Sequence, residues 1–275
     1  MTQLANTAEM EALKAALKAT WTAGNFGRIA KSYQPEAVEF IRRLDPQPGT
    51  RVLDVACGTG NLTLPAARLA AMVTGVDIAP NLLSQARERA AIEGLPVQFD
   101  EGDAEQLPYD DSSFDTLVSM FGVMFAPRPE RVVSELFRVC RSGGKIALAS
   151  WTPEGFIGRM FRTVAEHVPP PADIPSPLQW GVDDEMRERL SGGASEVSMN
   201  RRLVSLTFPF SPPEVVEYWR LYYGPASAAF EALAAPARQA ALRRALEQLW
   251  SAHNQASDGT TRVESEYLEI LATRS

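Results

Sequence analysis

The run RVLDVACGTGNLTLP, Arg51 to Pro65, constrains this chain more than any other. Val52, Leu53, Asp54 and Val55 make a short, mostly apolar stretch of strand length, and Ala56, Cys57, Gly58, Thr59 and Gly60 follow as a glycine-rich turn. An amphipathic stretch begins immediately after it. A buried strand, a tight turn and a helix start in this order let a ligand lie against bare backbone, because glycine has no Cβ and accepts positive φ. The free N–H groups of the helix that follows favour a negatively charged group. A nucleotide-like cofactor site is therefore expected here. Two common occupants fit badly. A phosphate-cradling loop needs Lys and then Ser or Thr after its last glycine, where this chain has Asn61 and Leu62. A dinucleotide fingerprint needs a third glycine where Thr63 stands.

The rest of the chain sets this turn in an alternating pattern. An amphipathic helix over 7–20 carries Met10, Leu13 and Leu17. A second, over 27–44, presents Ile29, Tyr33, Ala37, Phe40, Ile41 and Leu44 on one face and is ended by Pro46, Pro48 and Gly49. Strands are expected over 51–56, 72–77, 97–100, 114–120 and 144–150, with helices over 61–71, 81–93 and 128–141. Such alternation argues for a parallel sheet with helices on both faces. After Trp151 the character changes. Residues 151–182 are rich in proline and aromatics and carry no expected element. A short acidic helix over 183–191, an outer strand over 195–210, helices over 212–223 and 226–252, and a last strand in RVESEYLEILATR complete the chain.

Composition limits the partners. With 275 residues and 45% hydrophobic side chains, the chain suits one large domain or a domain with an elaborate cap. A net charge of −7 makes nucleic acid an unexpected partner, because neutralising phosphates takes Lys and Arg. The first residues, MTQLANTAEMEALK, lack a basic region ahead of an apolar run, and no stretch of about 18 apolar residues occurs. Neither a signal peptide nor a membrane span is expected, and the cytoplasm is the expected compartment. Cys57 and Cys140 make no disulfide framework. Cys57 stands where the turn needs a small residue, which favours packing over a nucleophilic role.

Asp77 ends the second strand. In a doubly wound sheet a carboxylate at that position faces the crevice and accepts from ribose hydroxyls, each such bond contributing about 1.5–3 kcal/mol. The plainer reading is a helix cap, for which Asn81 is the better candidate. Three further runs sharpen the assignment: Asp54 to Gly60; GDAEQLP (Gly102 to Pro108) with its acidic turn and Phe114-Asp115; and LFRVCRSGGKIALASW (Leu136 to Trp151). Together they resemble the class I S-adenosylmethionine-dependent methyltransferases, in the ubiquinone/menaquinone-biosynthesis-like (methyltransferase type 11/25) branch. Ala56 replaces the first glycine of that family's D-x-G-x-G-x-G loop. The resemblance covers about residues 20–151. Beyond them only WTPEGF and YLEILATR look familiar.

The resemblance implies an α/β fold with a doubly wound, mostly parallel seven-stranded sheet. N-terminal helices precede the sheet, and a helical cap is inserted after strands five and six. It implies S-adenosylmethionine as cofactor and S-adenosylhomocysteine as product, held by Tyr33, Asp54, Ala56, Cys57, Gly58, Thr59, Gly60, Asp77, Ile78, Gly102, Asp103, Ala104, Met120, Phe121 and Phe125. Within that set, Asp103 accepts from the adenine amino group and the Ala104 N–H donates to a ring nitrogen. The carbonyl near Met120 takes the cofactor's amino group. Phe121 and Phe125 border the sulfonium, where an aromatic face gains roughly 0.5–2 kcal/mol. Methylation of exocyclic base amines or glutamine amides goes with an Asn/Asp-Pro-Pro-Tyr-like motif at this strand end, and Ser119 to Phe125 contains none.

The expected division is a helical lid over 1–48, a cofactor-binding core over 49–151, a cap and substrate region over 152–260, and a closing strand over 261–275. The expected substrate is a small aromatic or lipophilic molecule under a roof of Trp21, Phe26, Tyr33, Trp151, Phe156, Met160, Trp219, Tyr222 and Tyr223. No catalytic triad is expected, because an activated methyl needs alignment more than a base. His167 is the one candidate base, His253 reads as surface, and no metal is expected. Competing classes are a nicotinamide-dependent reductase, which the missing third glycine and the lack of a Tyr-x-x-x-Lys pair disfavour, a nucleic-acid or protein methyltransferase, and a non-catalytic cofactor-binding protein. Monomer and homodimer both remain open.

Overall fold

Four of the five residues of β1 (Arg51–Val55) are wholly enclosed, as befits a strand in the interior of the sheet. A computed structural model describes residues 7–171 and 174–275. Ahead of β1 come α1 (Thr7–Ala23), α2 (Phe26–Ala30) and α3 (Gln34–Leu44). After it the chain alternates through α4 (Thr63–Arg68), β2 (Met72–Asp77), α5 (Pro80–Ile92), β3 (Gln98–Glu101), β4 (Phe114–Met120), α6 (Pro129–Val139) and β5 (Cys140–Trp151). The remaining elements are α7 (Phe156–His167), α8 (Asp183–Leu190), β6 (Ala194–Phe208), α9 (Pro212–Tyr222), α10 (Gly224–Ala232), α11 (Pro236–His253) and β7 (Thr261–Arg274).

The sheet has seven strands in the order β3-β2-β1-β4-β5-β7-β6. β1 to β5 are parallel, and β7 runs antiparallel between β5 and β6. The chain steps outward from β1 to β2 and β3, then returns to lay β4 on the other side of β1. That reversal separates the turns after β1 and β4 and opens a crevice at their carboxyl ends, the usual ligand position in such sheets. This is the doubly wound, mostly parallel sheet expected from the alternation.

Several expected elements are divided or displaced. The helix expected over 27–44 is broken: α2 passes through a 3-10 turn, Lys31–Tyr33, before α3 starts. Pro35 is the cause, since it lacks an N–H and its ring collides with a carbonyl four residues back in a continuous helix. Pro236 likewise divides the stretch expected as one helix over 226–252 into α10 and α11. The segment 151–182, without an expected element, contains α7 and a 3-10 turn at Pro177–Gly181. β5 starts at Cys140 rather than at Gly144, and α4 is shorter than the expected 61–71. Asn81 does not cap α5. The cap position is Ala79, and the Asn81 amide instead donates to the Gly24 carbonyl at 3.0 Å.

The segments after Trp151 build their own apolar layer against the antiparallel end of the sheet. Trp250 of α11 is fully buried and packs edge-on to Phe156 and Phe208. The N-terminal helices cover the other end of the crevice, where Trp21 contacts Phe125 and Tyr223. Among the described residues no helix is long and apolar enough to cross a membrane.

Candidate active site

The turn after β1 takes the backbone shape its glycines suggest. Gly58 has φ 53° and Gly60 φ 83°, and Ala56, without a glycine's freedom, has φ 56°. The Ala56 methyl is accommodated from across the cleft. A Cβ on Gly122 would lie 2.6 Å from the Ala56 Cβ and 2.8 Å from its carbonyl oxygen, so an alanine at 56 fits beside a bare residue at 122. A Cβ on Gly58 would meet nothing within 4 Å, so that backbone stands open to the cleft.

Asp77 fastens this turn. Its Oδ2 accepts from the Gly58 N–H at 2.8 Å and its Oδ1 from the Ala79 N–H at 2.8 Å. Capping and ligand binding, posed above as alternatives, are compatible here. An ionised carboxylate has about four lone-pair sites, so acceptor capacity remains for a sugar's hydroxyl. Burial pushes the Asp77 carboxyl above its usual range, opposed by the N–H donors of Ala79, Gly58 and Ile78. Asp54 lies deeper. Burial pushes it up to about 7, the Thr63 hydroxyl that donates to it pulls it down, and nearby Asp77 pushes it up again. The Cys57 thiol is buried and held well above its ordinary value, chiefly by that burial and then by Asp54 and Asp77, which suits packing and not nucleophilic attack.

At the far side of the cleft, Asp103 accepts from the Glu105 N–H at 2.9 Å and pairs with Lys14 of α1 at 2.5 Å. Lys14 also reaches Glu105 Oε2 at 2.5 Å, in a fully enclosed carboxylate whose same oxygen Arg128 holds at 2.7 Å. One turn further along α1, Lys18 pairs with Glu101. Lys14, Glu105 and Arg128 were not singled out in the sequence. The available signal was two lysines four apart on one helix face and the alternating acids Glu101, Asp103 and Glu105 that begin at the last residue of β3.

The turns after β1, β2, β3 and β4, with Lys14 of α1, line one cleft. Of the expected cofactor residues, Tyr33, Asp54, Ala56, Cys57, Gly58, Thr59, Asp77, Ile78, Gly102, Asp103, Ala104, Met120, Phe121 and Phe125 all line it. Gly60 does not. It sits beneath the turn, where a Cβ would contact Leu64 and Ala86. Of the expected roof, Trp21, Phe26 and Tyr33 line the cleft. Trp151, Trp219 and Tyr223 line a narrower apolar cavity, which shares Phe26, Tyr33, Phe121 and Phe125 with it. Phe121, at φ 56°, stacks on Trp151 with ring centroids 3.6 Å apart.

The other candidates lie elsewhere. Phe156 packs on Trp250, Met160 is buried in the core, and Tyr222 lies under the Arg28 guanidinium, 4.5 Å from its ring centroid. His167 is the last residue of α7 and lines neither cavity. His253 is half-buried against Phe156 rather than on the open surface, with Nε2 3.1 Å from an Arg159 nitrogen.

The donor set fits a nucleoside cofactor: open backbone at Gly58, spare acceptor capacity on Asp77, an acid at Asp103, and aromatic rings at Phe121 and Phe125. Comparison with known proteins agrees. The methyltransferase domain family matches residues 53–148. An uncharacterized protein of Mycobacterium tuberculosis is 38% identical over 269 residues, 97% of this chain and 97% of its own length. A phosphatidylethanolamine N-methyltransferase of Cereibacter sphaeroides is 40% identical over 128 residues, 46% of this chain and 61% of that protein. A demethylmenaquinone methyltransferase of Deinococcus radiodurans is 38% identical over 124 residues, covering 44% and 52%. Among solved structures, a phosphoethanolamine N-methyltransferase of Haemonchus contortus bound to S-adenosylhomocysteine has the same fold, with a TM-score of 0.55 at 18% identity over 88% of this chain and 52% of that one. The chain belongs to the class I S-adenosylmethionine-dependent methyltransferases, with S-adenosylmethionine as its cofactor.

Proposed function

We propose that this enzyme methylates a small aromatic or lipophilic molecule, bound in the inner cavity behind Phe121 and Phe125. One observation carries the reading: an apolar cavity adjoins the cofactor cleft through a shared wall of Phe26, Tyr33, Phe121 and Phe125. Bound S-adenosylmethionine supplies a methyl group already activated on sulfur, which a nucleophile displaces in line. The chain's own task is then to align two reactants and exclude water, and alignment alone can supply about 7–11 kcal/mol. Asp77, Asp103 and the Gly58 turn hold one reactant from the strand ends. The rings of Phe26, Phe121 and Phe125 orient the other and keep the gap between them dry.

The N-terminal helices α1 to α3, from Thr7 to Leu44, act as the lid in this reading, and the segments after Trp151 complete the acceptor side. Lys14 and Lys18 latch α1 to the acids after β3, so the lid closes beside the adenine end of the cleft. The names of two relatives add support, since phosphatidylethanolamine and demethylmenaquinone are both lipophilic. The test is methyl transfer from labelled S-adenosylmethionine to a panel of lipophilic aromatics, with RNA, DNA and a protein mixture in parallel. Label in an aromatic or lipid-like product supports the proposal. Label confined to polymer overturns it.

A further inference from the structure

The inner cavity contains polar groups that the protein itself leaves unpaired. The Trp219 indole nitrogen is buried and has no hydrogen-bond partner. The Tyr33 and Tyr223 phenols line the same cavity and have no partner among the described residues; burial leads the causes that raise both above their usual range, and no hydrogen bond contributes to either. Ser32, the cavity's other hydroxyl, is already satisfied by donating to the Ile29 carbonyl at 2.8 Å. Trp219 and Tyr223 are one helical turn apart, with ring centroids at 5.0 Å, and Tyr33 reaches the cavity from the N-terminal helices.

All three groups can act as donors. An indole N–H can only donate, and phenols kept protonated by burial donate freely. The buried, unpaired indole N–H of Trp219 is costly unless an acceptor reaches it, and the two phenols lie open to the same space without a protein partner. Building on the acceptor reading above, we infer that the methyl acceptor carries a hydrogen-bond-accepting oxygen, of carbonyl type, on an apolar ring body. Tyr33, Tyr223 and Trp219 surround that oxygen, whose two lone pairs accept from two of the three at a time. They act as positioning and specificity residues: they fix which atom of the acceptor faces the shared wall at Phe121, and take no part in bond making.

The test uses the protein loaded with S-adenosylhomocysteine, titrated calorimetrically with acetophenone and with α-methylstyrene, its isostere in which a methylene replaces the oxygen. A site that pairs an oxygen rejects the analogue lacking it, so acetophenone should bind at least about tenfold more tightly. Tyr33→Phe, Tyr223→Phe and Trp219→Phe should each reduce that preference several-fold while leaving the affinity for α-methylstyrene within about twofold. The tyrosine variants keep the ring and its packing, so they report even if Trp219→Phe does not fold. Equal binding of the two probes, or a preference that survives all three substitutions, overturns the inference and leaves the apolar acceptor cavity standing. Failure of both probes to bind overturns the acceptor reading and the inference together.

Discussion

Between Arg51 and Phe125 four parallel strands deliver their carboxyl ends to one cleft, and each turn adds its ligand-facing groups within a few residues of a strand. The cavity beside it is assembled differently. Its walls come from the first helices, from Phe121 and Phe125, and from Trp219 and Tyr223 near the other end of the chain. The cleft presents backbone N–H groups, positive-φ turns and carboxylates, whereas the cavity presents rings, the buried unpaired indole nitrogen of Trp219 and two phenols. The difference teaches where each kind of substitution acts: changes in the cleft act through backbone geometry and charge, and changes in the cavity through shape and hydrogen-bond pairing.

The most damaging change should be Gly58→Val. It puts a β-branched residue at φ 53° and pushes its side chain into the cofactor's space. Strain of about 1–3 kcal/mol plus the steric block should lower S-adenosylhomocysteine affinity at least about a hundredfold by calorimetry. Gly122→Ala comes next. It drives a methyl against Ala56, and overpacking of this kind costs about 1–3 kcal/mol, readable in a denaturant melt. Adding Ala56→Gly should recover part of that loss, and full additivity of the two changes would show that the contact is absent.

A pH titration gives a smaller effect. The Asp54 carboxyl is held up to about 7, mainly by burial, so it is mostly neutral at pH 6 and ionised at pH 8. The cofactor's sulfonium and ammonium favour the ionised form. Affinity for S-adenosylmethionine should therefore rise with pH across this window, by up to about tenfold per unit below 7, with a proton released on binding. Asp54→Asn should flatten the profile. For folding the sign is opposite. A carboxyl whose folded value lies above 3.8 costs stability as pH climbs from there through about 7, because the unfolded chain releases its proton first. The smallest effect belongs to Lys14→Ala, a partly exposed pairing that added salt weakens. It should speed cofactor release a few-fold at low salt by stopped-flow fluorescence and have little effect at high salt.

The cleft was legible in the sequence because its signals are local: a strand of apolar residues, a turn of small ones, an acid at the next strand end. The pairing of Lys14 with Asp103 and Glu105 joins residues far apart in the chain, and no local period encodes it. The same holds for the fit of Gly122 against Ala56, which exists only once β1 and β4 are neighbours. Helix α7 was hidden by Gly158, by Gly155 ahead of it and by the prolines around it, although Phe156, Met160 and Val164 recur at helical spacing. Gly158 proves to be a packing requirement, since a Cβ there would lie 2.2 Å from the Thr152 carbonyl oxygen. The roof was only partly legible for a related reason. Buried aromatics are common to cores and pockets, and sequence alone does not separate Phe156, which packs on Trp250, from Tyr223, which faces the cavity.

The separation of the two regions can be measured in one calorimetric series, S-adenosylhomocysteine titrated into the wild-type, Asp77→Ala and Tyr223→Phe proteins. Loss of the proposed ribose acceptor and of the Gly58 tether should weaken binding by about ten- to a hundredfold in Asp77→Ala, while Tyr223→Phe stays within about twofold of wild type. An unchanged affinity in Asp77→Ala, or an equal loss in both variants, would contradict a cofactor cleft at the strand ends distinct from the acceptor cavity.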